Sequence, residues 1–229
     1  MYKLLSHNDL DGVGCGILAK LAFGEKVRVR YNSLSSLNHE IDYFLENEGT
    51  GTVLFITDLS PDEECISKLN DFFKENGTIQ LIDHHKTALQ LNEYDWGAVT
   101  VENEDGKLAS ATSLFFDYLT ERGHLEPNDA IQEFVELVRQ YDTWEWEKNG
   151  NRQAHRLNSL FFLTSIEEFE EKMLKRLQSA VQFGFDEFER KLLSIEEEKM
   201  ERYIRRKKHE VIQTQAGEYL AGAVYAESY

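Results

Sequence analysis

Three short apolar runs in this chain each stop on carboxylates or imidazoles, and that recurrence constrains the fold more than any other feature. Thr78-Ile79-Gln80-Leu81-Ile82 runs into Asp83-His84-His85. Tyr2-Lys3-Leu4-Leu5-Ser6 runs into His7-Asn8-Asp9-Leu10-Asp11-Gly12, and Thr52-Val53-Leu54-Phe55-Ile56-Thr57 runs into Asp58. Each run has the length and residue types of a strand, and each is followed by a helix-like segment. The three therefore read as neighbouring parallel strands sharing one carboxyl edge. In an open sheet flanked by helices, ligands bind in the crevice outside that edge. A polar loop whose histidines bond nearby backbone would account for one such tip; three converging tips argue for a site.

The segments between these runs complete the pattern. Val13 to Phe23 is expected as a helix closed by Gly24, Val27 to Tyr31 as a strand, and Leu37 to Glu46 as a helix with Leu37, Ile41, Phe44 and Leu45 on one stripe. Pro61 begins a helix that ends at Asn76-Gly77. The order is βαβαβαβ, an α/β fold with a parallel sheet and helices on both faces. Trp96 to Glu102 is a further strand. Ser110 is an N-cap for the next helix, whose first amides serve either ordinary capping or a bound phosphate. A helix opened by Pro127 delivers Asp142 near its end.

From Ser165 the chain turns helical throughout, with a second run from about Val181 to Gln213. At 1.5 Å per residue a run of about 33 residues reaches roughly 50 Å, longer than a small domain needs. Its basic end, Arg205-Arg206-Lys207-Lys208, is either an RNA contact or a solvated helix terminus. Tyr219 to Ala226 reads as an apolar strand with no partner left in the sequence. The expected organisation is a catalytic α/β domain over 1–163, a helical extension and linker helix over 164–217, and over 218–229 the first strand of a truncated domain.

Composition closes off several classes. The 229 residues are 41% hydrophobic, which supports one sizeable core, and no apolar run is long enough to span a bilayer. Met1 enters a strand almost at once, without a secretory signal. Cys15 and Cys65 are far apart and lack ligand spacing, so they read as reduced thiols of a cytoplasmic protein, not as a zinc finger. The formal charge of −17 argues against a binder of long duplexes, whose affinity rests on basic surface. A substrate of a few nucleotides, held by local groups and bound cations, remains compatible with it.

The acidic tips dictate the chemistry. Asp9, Asp11, Asp58 and Asp142 in one cleft carry −4, a charge that two divalent ions balance, with Asp83 set aside as the orienter of a histidine. Fully extended, residues 7 to 11 would separate His7 from Asp11 by about 13 Å, whereas two ions and their ligands span only about 8 Å. The chain must bend, and Gly12 is the expected turn. Oxygen and imidazole ligands without thiolate suit Mn²⁺ first, with Mg²⁺ or Co²⁺ as alternatives.

With these residues in place, the chain resembles the DHH phosphoesterases. Their first motif stands here as His7-Asn8-Asp9-Leu10-Asp11-Gly12, the second as Asp58, the third as Asp83-His84-His85, and the fourth as Asp142 within Gln140-Tyr141-Asp142-Thr143-Trp144. Within the family the chain is most similar to the B-type nanoRNases, oligoribonucleases that act as exonucleases on short RNA. The resemblance implies two ions, His7 and Asp9 on one, Asp11, His84 and Asp142 on the other, and Asp58 bridging. It implies His85 facing the scissile phosphate, with Asp83 as its catalytic support, and 3′-end degradation to mononucleotides by metal-activated water. Lys86, Ser110 and Arg139 are candidate phosphate contacts; Tyr141, Trp144 and Trp146 either stack bases or pack.

The expected partners are short single-stranded RNA or a small nucleotide, with no long duplex and no membrane, and a homodimer is allowed for. Rival substrates are a 3′,5′-bisphosphorylated nucleotide, a cyclic dinucleotide or pyrophosphate. The rival class is a non-catalytic binding protein on the same fold.

Overall fold

The computed structural model describes residues 1–179 and 181–226. They form two compact units, Met1–Phe183 and Gly184–Tyr229.

In the first unit, β1 (Tyr2–His7), β2 (Val27–Asn32), β3 (Val53–Thr57), β4 (Ile79–Asp83) and β5 (Gly97–Val99) form one parallel sheet in the order β2-β1-β3-β4-β5. β1 lies between β2 and β3, so the chain leaves it towards one edge and later returns to build towards the other. The switch point, where such sheets bind ligands, is therefore the crevice between the ends of β1 and β3.

Alternation within the strands assigns the two faces. Leu5, Leu54, Ile56 and Leu81 join Leu37, Ile41 and Phe44 of α2 (Leu34–Asn47) and Leu69 of α3 (Glu63–Asn76) in one buried cluster. The intervening residues face the opposite layer. There Phe55 meets Phe23 of α1 (Leu10–Phe23), and its ring packs edge-on against Phe115 of α4 (Ala111–Glu121). Outside these lie α5 (Asp129–Asp142), the short α6 (Glu145–Asn149), α7 (Arg152–Phe162) and α8 (Ile166–Ser179). α8 packs on α1, and Glu170 accepts hydrogen bonds from Lys20 and, at 2.7 Å, from the Tyr31 hydroxyl. The first compact unit thus continues to Phe183.

Caps set several boundaries away from those expected. α1 begins at Leu10, not Val13, because the Asp9 side chain accepts the Gly12 amide at 3.0 Å and caps the helix there. The bend consequently falls at Asn8-Asp9, and Asp11 sits in the first helical turn. Asp62, one residue after Pro61, caps α3 through the Cys65 amide at 2.9 Å. β5 is shorter than expected: the Asn92 amide takes both backbone groups of Val99, and the chain beyond turns into a loop closed by a Glu102–Leu108 bridge.

The second unit holds α9 (Glu187–Glu210) and an antiparallel hairpin of β6 (Ile212–Ala216) and β7 (Tyr219–Ala223). The helix stops before Gln213, and the last strand has a partner after all. Val211 is extended, the following Ile-Gln-Thr-Gln suits a strand, and Gly217 turns the hairpin at φ +65°. Residues 227–229 of the expected terminal segment lie outside the described residues.

Candidate metal centre

Each strand tip reaches the cleft by a local device. After β1 the chain doubles back so tightly that a Cβ on Gly12 would sit 2.2 Å from the His7 carbonyl oxygen. Ser6 Oγ donates to the Gly12 carbonyl at 2.9 Å and receives the Thr57 hydroxyl at 2.7 Å, tying the β1 and β3 tips together. Asp58 follows β3 with φ +60°, a left-handed conformation that Asp tolerates better than most residues and that is often found at functional sites. The amide of His84 donates to Asp83 Oδ1 at 2.7 Å, and that of His85 at 3.3 Å.

The result is a cluster. His7 Nδ1 is 2.7 Å from Asp9 Oδ2 and 3.7 Å from Asp58 Oδ2. His84 Nε2 is 3.3 Å from Asp58 Oδ1, 3.5 Å from Asp142 Oδ2 and 3.7 Å from Asp11 Oδ2. His7, Asp9 and Asp58 form one group with ligand atoms within 4.8 Å of one another, and Asp11, His84 and Asp142 form another. His7, Asp9, Asp58, Asp83, His85 and Asp142 line the open cleft, with Ser60 and Thr87 at its wall. Two buried oxygens of this cluster, Asp58 Oδ2 and Asp142 Oδ2, have no hydrogen-bond partner among the described residues. Unpartnered buried carboxylate oxygens opposite imidazole nitrogens fit a divalent cation, and the oxygen and nitrogen donors fit the hard to borderline metals expected.

Electrostatics within the protein alone run against ionisation. Burial, then Asp11, Asp9 and Asp142, push the Asp58 carboxyl well above its ordinary range. Burial and the charges of Asp11 and Asp9 push Asp142 up to about 8. A carboxyl that holds its proton more tightly when folded costs stability once ionised, so stability falls as pH rises from the unfolded pKa near ~4 through the folded value. Chelator-treated protein should therefore lose melting temperature between pH 5 and 9, and Asp142→Asn should flatten that slope. A flat wild-type profile would mean that these carboxylates are not crowded in solution.

Asp83 behaves differently. Burial raises its carboxyl, but hydrogen bonds from His85, at 2.7 Å to Nδ1, and from Ser60, at 2.7 Å, hold it below its usual value. The bond to Asp83 in turn outweighs desolvation and raises His85. Ser60 is a site residue that sequence reasoning missed, although it stands two positions beyond Asp58.

Two candidate phosphate contacts are corrected. Arg139 is 4% exposed and donates to Glu136, Glu145 and the Leu108 carbonyl, so no face of its guanidinium is left for substrate. Ser110 is fully buried and caps α4 through the Ser113 amide. The start of α4 does hold an anion, but it is the chain's own. The amides of Ala111 and Thr112 donate to Asp11 at 2.7 and 2.9 Å, and the Thr112 hydroxyl donates to the Asp11 carbonyl at 2.6 Å. Lys86 is exposed beside His85. Of the three aromatics, Tyr141 and Trp146 pack with each other and with His155, whereas Trp144 stands out from the surface.

A parallel sheet with carboxylates and imidazoles gathered at its switch point, in the order of the four motifs, is the arrangement of a DHH-type phosphoesterase domain, and the resemblance holds over the whole chain. It is specifically NrnB-like: the chain is 57% identical over 232 aligned positions to the oligoribonuclease NrnB of Bacillus subtilis (strain 168), covering 100% of the chain and 58% of that protein. It is 24% identical over 201 positions to a 3′,5′-cyclic-nucleotide phosphodiesterase of Helicobacter pylori (strain ATCC 700392 / 26695), covering 76% of the chain and 56% of that protein. A crystal structure of an uncharacterized protein from Helicobacter pylori G27 shares the fold, with a TM-score of 0.55 at 20% identity over 78% of this chain and 56% of that one. The chain thus spans little more than half the length of the relatives it matches. No family model matches it.

Proposed function

We propose that the chain carries the catalytic site of a cytoplasmic, metal-dependent phosphodiesterase that degrades short RNA from the 3′ end to mononucleotides. The observation that carries this reading is the ligand groups at the carboxyl edge, His7, Asp9 and Asp58 across the β1–β3 crevice and Asp11, His84 and Asp142 beside it, with buried oxygens on Asp58 and Asp142 that have no hydrogen-bond partner among the described residues. In this reading His7 and Asp9 would hold one ion, Asp11, His84 and Asp142 the other, and Asp58 would serve both. The proposed organisation is a catalytic domain over 1–163, whose end falls within the first compact unit, a 164–217 extension whose last strand, β6, pairs with β7, and the start of a further domain over 218–229. The relative named as an oligoribonuclease supports the substrate class.

Bound divalent cations, Mn²⁺ first, would supply Lewis acidity towards phosphoryl oxygens and lower the pKa of an attacking water. The residues do the rest. Asp83 occupies His85 Nδ1 and so fixes the ring with Nε2 available to a substrate oxygen. The same bond raises the pKa of His85, which favours the ring form that donates from Nε2. Lys86 adds a positive charge beside it for the phosphate backbone.

Titrating Mn²⁺ against a short end-labelled RNA tests the reading; the expected result is ion-dependent release of mononucleotides, abolished by chelation. Intact RNA at every ion concentration would overturn it. A second reading, hydrolysis of a small nucleotide, draws on the relative named as a cyclic-nucleotide phosphodiesterase. Faster turnover of a cyclic or bisphosphorylated nucleotide than of RNA in the same assay would favour it.

Protein loaded with Mn²⁺ and desalted should retain up to two ions per chain. Cys15 and Cys65 are buried and belong to neither ligand group, so replacing both by serine should leave that number unchanged. Ion loss in the double variant would contradict the ligand assignment.

A further inference from the structure

The fourth motif ends in a feature that metal binding does not explain. Trp144 follows Asp142 by two residues, between α5 and α6, and is 69% exposed. A tryptophan that exposed leaves most of a large apolar surface in water. Its backbone is also left-handed, at φ +61°, a conformation that is a genuine outlier for a bulky side chain. Strain of this kind persists where the surrounding structure enforces it and clusters at binding sites. Here the enforcement is visible: the Trp144 amide donates to the Tyr141 carbonyl at 3.1 Å, and the Thr143 amide and hydroxyl donate to Arg139 at 3.0 and 2.8 Å.

Behind the exposed ring stands a rigid support. Trp146 lies with its centroid 6.5 Å from that of Trp144, stacks on Tyr141 at 6.2 Å and 15°, and packs on His155 at 4.8 Å. Tyr141 directly precedes Asp142, so this pad and the metal centre share one helix end and cannot move independently by much. An exposed, backbone-locked π-face two residues beyond Asp142, at the helix end that delivers this ligand to the proposed centre, matches one occupant best, a nucleobase of single-stranded RNA. Stacking is tolerant of base identity because every base has a π-face, as a degrader of mixed sequences requires.

Resting on the function proposed above, we propose that Trp144 is the base-stacking platform of this site, taking the nucleobase of a short RNA whose phosphate lies at the metal centre. The residue grips substrate and does not take part in the chemistry.

The test compares wild type, Trp144→Ala and Trp144→Phe on an RNA dinucleotide and on the same dinucleotide with one base removed at either position. Loss of one stacked base is expected to lower kcat/KM by roughly 5- to 150-fold, mainly through KM. Trp144→Ala should show that loss on the intact dinucleotide and little change on one of the two abasic analogues, while Trp144→Phe should recover most of it. Equal losses on all three substrates would indicate a merely structural role and overturn the proposal, as would no loss at all.

Tryptophan fluorescence gives a readout independent of turnover. Of the three tryptophans, Trp96 is fully buried and Trp146 is half-buried against Tyr141 and His155, so Trp144 is the most open to contact quenching, and Trp144→Ala isolates its share. Adenosine monophosphate should quench wild type but not Trp144→Ala, and ribose 5-phosphate should quench neither. Absence of base-dependent quenching overturns the stacking platform whatever the turnover. Absence of RNA hydrolysis by wild type, with the quench intact, would instead sink the proposed function.

Discussion

Asp58→Asn is expected to reduce hydrolysis by three orders of magnitude or more at saturating Mn²⁺ while the metal-free protein melts higher than wild type. Asp58 is 3% exposed, and its carboxylate stands between two imidazoles, Oδ1 3.3 Å from His84 and Oδ2 3.7 Å from His7. In the proposed assignment it alone serves both ions. An amide keeps the shape but brings no charge to either, so the transition-state stabilisation supplied by both ions is impaired together. The backbone should not object: at φ +60°, Asn is among the residues most at home.

The opposite sign for stability follows from the same burial. Burial, and after it the neighbouring carboxylates, raise Asp58 well above its unfolded value, so at neutral pH without metal its ionisation costs folding free energy, and the amide removes that cost. Adding Mn²⁺ should reverse the order, because an ion that binds only the native state stabilises wild type by mass action. Thermal melts with chelator and with Mn²⁺, alongside turnover of a short RNA, check both halves. Near-wild-type turnover by the variant would rule out the shared-ligand arrangement.

Gly12→Ala is expected to cost both stability and ion binding, although Gly12 is neither ligand nor acid. Its added methyl would lie 2.2 Å from the His7 carbonyl oxygen and 2.6 Å from the His7 carbonyl carbon and amide nitrogen. These are backbone atoms, so no side chain can swing away; the strand end or the helix start must move. Overpacking of this kind costs about 1–3 kcal/mol or more. For a chain of this size that lowers the melting temperature by about 2–4 °C per kcal/mol. The movement would also pull on His7 and Asp9, whose positions depend on the Gly12 amide and carbonyl bonds to Asp9 and Ser6. Calorimetric titration with Mn²⁺ should show weakened binding at one of two sites. A variant that melts within a degree of wild type and binds both ions normally would show that the close approach is not maintained in solution.

Much of this site was legible before any coordinates. Residue type and local order placed His7, Asp9, Asp11, Asp58 and the Asp83-His84-His85 triplet at strand ends, because a strand-length apolar run that stops on charged groups identifies itself. Charge arithmetic then asked for cations, and these side chains do gather into groups of donor atoms within 4.8 Å of one another, His7 with Asp9 and Asp58, Asp11 with His84 and Asp142, and Asp58 with Asp83, His84 and His85. Asp83 as the orienter of a histidine was also readable, since the two are neighbours in sequence and meet through a 2.7 Å bond.

Other features depended on contacts between residues far apart in sequence. Arg139 looked like a phosphate ligand until Glu145 and the Leu108 carbonyl closed over it, and Ser110 until the start of its helix turned inward onto Asp11. Trp144 and Trp146, two residues apart, could not be told apart until one was packed and the other left in water. The place of β2 in the sheet was equally hidden. The sequence by itself determined which residues end the strands, because periodicity and punctuation are local properties of the backbone. Only the tertiary structure decided that β2 takes the outer side of β1, which puts the reversal of strand order, and with it the crevice, between β1 and β3, because strand order is settled by how the helices cover both faces of the sheet at once.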